Sequence, residues 1–274
     1  MEPDRDPLSF IAECLGEPPA AMRNPVNADY RCPFMASICT KTNHQIGDPV
    51  PVCSLYRRGV KREEGAPPIC ICPNRFFEAD VVGDVIRECW GRDPHGEIRT
   101  AHEVRLDKFG KVDLVIAELY DNGGEIRRFL PVEIQAVDIT GTYRPYYEAL
   151  VESRVSEKAS YGFNWANVRK RFITQLVSKG AICSRWDTKI VAVVQEDLFE
   201  KFQEHAEFTE ARIDQANVVF LTYQFTRSAA DDRWGLQFSR VFPTTHGSLM
   251  TASLYERVPA RAEFERKIIE RMDL

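Results

Sequence analysis

Between Lys111 and Val137 the chain reads as two apolar runs joined by a glycine pair, an order that fits an antiparallel hairpin. Lys111-Val112-Asp113-Leu114-Val115-Ile116-Ala117-Glu118-Leu119-Tyr120 is strand-like, Asp121-Asn122-Gly123-Gly124 is a turn signal, and Phe129-Leu130-Pro131-Val132-Glu133-Ile134-Gln135-Ala136-Val137 returns. Directly opposed residues on antiparallel strands share a face, so the loop length decides which side chains meet. A two-residue loop at Asn122-Gly123 pairs Asp113 with Val132, whereas a three-residue loop from Asn122 to Gly124 pairs Asp113 with Glu133. The second fits a bulged turn with glycine in the left-handed position and is the expectation here. Period two then places Gln135 on the face of Glu133 and sends Ile134 to the opposite, apolar face.

Two carboxylates on one face suit phosphodiester cleavage. Hard carboxylate oxygens hold magnesium, and the metal polarises a phosphate and lowers the pKa of a bound water. Gln135 is placed to orient that water. The bare pattern is weak, because Asp and Glu are also ordinary on the solvent face of a hairpin. Its neighbours in sequence decide the matter.

Five of the eight cysteines crowd into residues 32 to 72, in the contexts Cys32-Pro33-Phe34, Ile38-Cys39-Thr40, Val52-Cys53-Ser54 and Ile69-Cys70-Ile71-Cys72-Pro73-Asn74-Arg75. Together with Val132-Glu133-Ile134-Gln135, this segment resembles the NotI-type restriction endonucleases, members of the larger PD-(D/E)xK nuclease group. The resemblance runs in patches from about Ile11 to Gln175. It implies a structural iron ion held by Cys32, Cys39, Cys53 and Cys72. The long gaps between the first three are unlike the tight pairs of common zinc fingers, but a tetrahedral thiolate site accepts zinc or iron. Cys70 is a rival to Cys72, since only Ile71 separates them. Disulfides are the other reading. They are disfavoured by the charged start Met1 to Asp6 and the short apolar stretch after it, which do not make a secretory signal peptide. Cys14, Cys89 and Cys183 sit in apolar contexts and read as small core residues.

The resemblance also gives roles to the acids. Asp113 and Glu133 match the magnesium-binding pair, and His95-Gly96-Glu97-Ile98 is similar to a segment whose acidic residue helps bind metal, with Glu88 or Glu103 as alternatives. The chain departs from the wider group twice. Val112 stands where proline often precedes the Asp, and Gln135 stands where lysine is usual, a glutamine that NotI-type enzymes share. A neutral amide is neither a general base nor a cation, so the catalytic burden shifts toward metal-bound water.

The formal charge of −5, from 36 Lys plus Arg against 41 Asp plus Glu, argues against a protein that coats nucleic acid through overall basicity. Local groups remain candidates for phosphate contact: Arg57-Arg58 with Lys61-Arg62, Arg127-Arg128, and Arg169-Lys170-Arg171 at the head of a helix carrying Gln175. Arg144, Arg154, Lys158 and Asn164 are candidates for base edges. The longest apolar runs are too short to span a bilayer, so a cytoplasmic protein is expected, and the resemblance implies a bacterial one.

The expected organisation is an N-terminal helix and linker over 1–25, a cysteine-rich metal segment over 26–76 and a nuclease core over 77–274. Helices are expected at Leu8 to Leu15, Phe76 to Trp90, Tyr146 to Glu152, Asn167 to Lys179, Glu196 to Glu204 and Ala260 to Met272. Lys189 to Val194 suits a central strand, followed by strands at Val218 to Phe225 and Trp234 to Phe242. The result is an α/β fold with a mixed sheet flanked by helices, and the resemblance implies a PD-(D/E)xK-type core with a small four-cysteine inset. The function expected is that of a type II restriction endonuclease, a magnesium-dependent homodimer cutting double-stranded DNA at a palindrome. A metal-stabilised DNA-binding module and a sequence-nonspecific repair nuclease are the alternatives.

Overall fold

The computed structural model describes residues 10–19, 21, 29–41, 49–57, 66–121, 123–152, 160–228, 233–254 and 260–272. Arg58, Lys61, Arg62, Arg154 and Lys158 lie outside them. A six-stranded mixed sheet forms the centre. Its strands are β4 (Ile98–Leu106), β5 (Gly110–Leu119), β6 (Ile126–Gln135), β9 (Ile190–Gln195), β10 (Val218–Arg227) and β11 (Trp234–Thr244), in the spatial order β11-β10-β9-β6-β5-β4. β9 runs parallel to both β6 and β10, and the remaining pairings are antiparallel.

Ile190-Val191-Ala192-Val193-Val194 has no polar side chain to spare for solvent, and every residue of β9 is buried. That is the burial expected of a strand covered on both faces. On one face α3 (Trp165–Arg185), α4 (Glu196–His205) and α5 (His246–Leu254) bring Phe172, Leu176, Phe199, Phe202 and Leu249 onto Ile190, Ala192, Val194, Val218 and Phe220. On the other, a 3-10 turn (Pro73–Glu78) and α1 (Val81–Cys89) bring Phe76, Val81, Val85 and Cys89 onto Leu114, Ile116, Val132, Val191, Val193 and Leu221. Each fully buried Leu, Val or Phe contributes about 1.5–3 kcal/mol of transfer free energy. The last helix, α6 (Arg261–Met272), buries none of its residues.

The single helix expected over Phe76 to Trp90 is two pieces. Asp80 interrupts it because its side chain accepts a 3.0 Å bond from the Gly83 N–H and so caps α1. A further correction concerns Leu8 to Leu15, whose described part is a strand, β1 (Ile11–Cys14). It pairs with β2 (Val52–Leu55), which pairs with β3 (Ile69–Cys70), and Ile11, Cys14, Val52 and Leu55 share a third apolar cluster with Tyr143, Tyr146 and Tyr147 of the α2 region (Arg144–Glu152). Two short strands, β7 (Ile139–Gly141) and β8 (Tyr161–Phe163), flank α2.

Arg75 of the Cys-Pro-Asn-Arg segment locks this small sheet to the core. Its guanidinium is fully buried, pairs with Glu13 of β1 at 3.0 Å, bonds Glu78, and donates to the Trp234 carbonyl of β11 at 2.8 Å. The rings of Phe34 and Phe225 lie over it at 4.8 and 5.3 Å. Gln195, at the end of β9, makes the second link: its side chain accepts from the Cys70 N–H and donates to the Pro68 carbonyl, both at 2.8 Å.

Candidate active site on the β5–β6 hairpin

The β5–β6 ladder runs from Glu118 opposite Arg128 to Leu114 opposite Val132, and the next step in that register sets Asp113 beside Glu133. The turn reaches this register by another route than the expected three-residue loop. Tyr120 and Glu125 close the loop with a 3.0 Å N–H to carbonyl bond, Gly123 takes φ +67°, and Arg127 bulges out of the ladder between Ile126 and Arg128. The longer loop and the bulge cancel.

Asp113 Oδ2 accepts a 2.9 Å bond from the Ile134 N–H, which ties the two strands together at the carboxylates. Glu133 is 6% exposed. Burial holds its carboxyl above the usual carboxylate range, a shift opposed by hydrogen bonding and charge attraction from Lys179 and reinforced by the Asp113 charge. Ile134 packs in the opposite apolar cluster, as the period of two requires. Gln135 is half-buried: its amide nitrogen donates to the Ala136 carbonyl, and its oxygen faces Arg171 at 3.4 Å.

Lys179 is the residue that the hairpin alone does not reveal. It lies on α3, is as buried as the glutamate it pairs with, and donates to Glu133 Oε1 and, at 2.6 Å, to the Lys111 carbonyl of β5. The signal was present in the helix pattern. Val168, Phe172, Leu176 and Cys183 make the buried stripe of α3, and Lys179 occupies the position in that stripe where another apolar residue would stand. A lysine is rarely buried without a partner, so it called for an acid on the sheet beneath.

Glu97 requires a correction. Its carbonyl accepts from the Leu119 N–H, at the turn end of the hairpin, and its side chain points into solvent beside Arg99. The His95-Gly96-Glu97 segment has a different task. The His95 and Gly96 N–H groups bind Glu118 at 2.7 and 2.9 Å, and with Arg128 they hold that carboxyl down at about 2 despite its burial. Of the alternatives, Glu88 pairs with Arg87 on α1, across the sheet from Glu133. Glu103 is level with Asp113, lying between the pairs His102–Leu114 and Val104–Val112, with φ +55° and an ion pair to Lys111.

Arg171 bonds Asp138 at 3.0 Å as well as facing Gln135, which fixes the basic head of α3 beside the end of β6. Lys170 is exposed on the same turn and Arg169 is half-buried. Arg144 pairs with Glu148 along α2. Arg57 is committed to Asp197 and lies 5.8 Å from the Trp165 ring, and Arg128 is committed to Glu118.

Cys32, Cys53 and Cys72 are buried and Cys39 half-buried. Burial and then mutual charge repulsion raise the thiols of Cys39 and Cys53, and for both of them Cys72 is the first neighbour in that repulsion. The Lys41 ammonium reaches into the same neighbourhood, donating 3.0 Å bonds to the carbonyls of Val52 and Ile71, each the residue before a cysteine. Among the described residues, no three His, Cys, Asp or Glu side chains are arranged to hold a metal ion, so the four thiols do not stand as a finished ligand set. The hairpin carboxylates suit magnesium by another measure, since that ion takes one or two protein carboxylates and completes its shell with water and phosphate.

Among the described residues no helix is long and apolar enough to cross a membrane. No curated protein matches the chain. Residues 22–236 match the family described as "Restriction endonuclease NotI", a span that takes in the cysteine segment, both carboxylates and the whole of α3. With well over half of its length so matched, the chain belongs to the NotI restriction endonuclease family.

Proposed function

We propose that the protein is a magnesium-dependent type II restriction endonuclease of the PD-(D/E)xK kind, hydrolysing both strands of DNA at a palindromic site as a homodimer. The observation that carries the chemistry is the carboxylate pair on one face of β5 and β6, set beside the basic head of α3. Asp113 and Glu133 would hold the ion. Bound there, magnesium supplies a polarised phosphate and an acidified water. The chain's own groups do the rest. Lys170 and Arg169 on the head of α3 would meet backbone phosphate, and charge-assisted contacts of that kind position a duplex without reading its sequence. Gln135, half-buried and anchored through Arg171, offers an amide to orient water but no proton to exchange. The palindrome and the dimer go together, since each subunit has one such face and would cut one strand.

The same reading keeps Cys32, Cys39, Cys53 and Cys72 as ligands of a structural iron or zinc ion. The nearness of Cys72 to Cys39 and Cys53, whose thiols burial raises, supports it, because a bound cation would favour their deprotonated forms. Elemental analysis of the purified protein tests this part separately, and less than about half an equivalent of iron plus zinc removes it, a four-thiolate site holding one ion.

The activity is tested on phage and bacterial DNA with magnesium or with chelator. Discrete magnesium-dependent bands are expected. A smear would instead indicate a nonspecific nuclease, and intact DNA would sink the nuclease reading. Glu133→Ala should abolish cutting and leave DNA binding in place.

A further inference from the structure

Each carboxylate of the pair has one oxygen already committed to the protein. Asp113 gives Oδ2 to the Ile134 N–H, and Glu133 gives Oε1 to the Lys179 ammonium. Among the described residues no hydrogen bond engages Asp113 Oδ1 or Glu133 Oε2. Lys179 is itself held on three sides, by Glu133, by the Lys111 carbonyl at 2.6 Å and by the Phe109 ring at 5.7 Å, and both members of the ion pair have side chains only 8% exposed. The ammonium therefore has nowhere else to go at low cost, and the glutamate cannot turn its second oxygen freely.

We infer that Lys179 is a positioning residue that ties up one oxygen of Glu133 and thereby leaves that glutamate a single donor oxygen, biasing the site toward small, strictly six-coordinate dications over calcium. The inference rests on Asp113 and Glu133 being the metal-binding pair. The physical ground is coordination chemistry. Calcium takes six to eight oxygens and accepts both oxygens of one carboxylate, whereas magnesium demands a tight octahedron and is bound through single carboxylate oxygens with its waters kept. A site whose two acids each present one free oxygen suits the second ion and starves the first. The selecting group sits on α3, forty-six residues from the ligand it constrains.

The test is the binding of magnesium and of calcium to the full chain by titration calorimetry, without DNA, for the wild type, Lys179→Met and Lys179→Arg. Deleting a positive charge raises affinity for every dication, so the ratio of the two affinities is the readout. In Lys179→Met the preference for magnesium over calcium should fall by about tenfold, a 1.4 kcal/mol difference. Lys179→Arg keeps a donor on Oε1 and should restore the preference. Should Lys179→Met lack a cooperative thermal transition, Lys179→Gln takes its place, its amide being one atom too short to reach Oε1 from the same backbone. An unchanged ratio in the folded variant overturns the inference and leaves the metal-binding pair standing. A wild type that binds neither ion overturns both.

Discussion

Removing the Arg75 guanidinium should destabilise the fold strongly, and with a pH signature of its own. In Arg75→Met the buried carboxylate of Glu13 loses the one cationic partner it has among the described residues, Glu78 loses a bond, and the Trp234 carbonyl loses its 2.8 Å donor. Breaking a buried ion pair from one side costs about 3–5 kcal/mol, because the remaining charge is left desolvated and alone. Ser54 still donates to Glu13, which keeps the cost from rising further. Burial already pushes the Glu13 carboxyl up, and Arg75 is the main force pulling it back. Without Arg75 its folded-state value climbs further above the unfolded one. Between those two values the folded protein then binds more protons than the unfolded chain, so stability falls as pH rises through that window. Urea unfolding should therefore show a smaller deficit at pH 5 than at pH 8. Glu13→Leu added to Arg75→Met should recover part of the loss, leaving about 1–3 kcal/mol for each buried group then unpaired, the Trp234 carbonyl and the Ser54 hydroxyl. A deficit independent of pH, or a double variant as unstable as the single one, would refute the buried-charge account.

Two further outcomes follow from the geometry. In Gly96→Ala the new Cβ would lie 1.9 Å from the Leu119 carbonyl, and the loop that cradles Glu118 must move; a cooperative transition lowered by several degrees is expected, and an unchanged melt would show that the cradle bears no strain. Lys170→Ala should weaken DNA binding about equally on all sequences and lower the slope of log affinity against log salt by about 1, the signature of one lost phosphate contact, whereas an unchanged slope would place Lys170 away from the backbone.

The sequence made the hairpin register legible because alternation and the glycine pair leave few alternatives, and Leu114 does stand opposite Val132. The route through the turn is not legible, since the bulge at Arg127 lies beside Glu118, which Arg128 and the Gly96 N–H hold, the latter from a segment outside the hairpin. The place of Glu97 is hidden for the same reason: the His95-Gly96-Glu97-Ile98 context is similar to a metal-binding segment, but the antiparallel β4–β5 pairing runs it to the far end of the strand from Asp113. The strand at Ile11–Cys14 was hidden because a short apolar stretch carries no period, and only pairing with β2 decides its conformation. Lys179 was within reach, as a charge set in an apolar stripe, but its partner could be known only once α3 was laid across the sheet.

The connection between β6 and β9 has a consequence for the order in which this protein becomes an enzyme. Asp113 and Glu133 meet through a local hairpin, and hairpins close within microseconds. The strand that flanks β6 on its other side, and the helix that carries Lys179, belong to a crossover of more than fifty residues, whose closure entropy must be met before its contacts return anything. During synthesis the two acids would therefore come together before Lys179 reaches them, beside an unfinished sheet. A chain caught at that stage has the acids but neither the burial nor the basic helix head. Docking of α3 onto the sheet would then act as a maturation step, since it brings Lys179 to Glu133 only once β9 is in place beside β6.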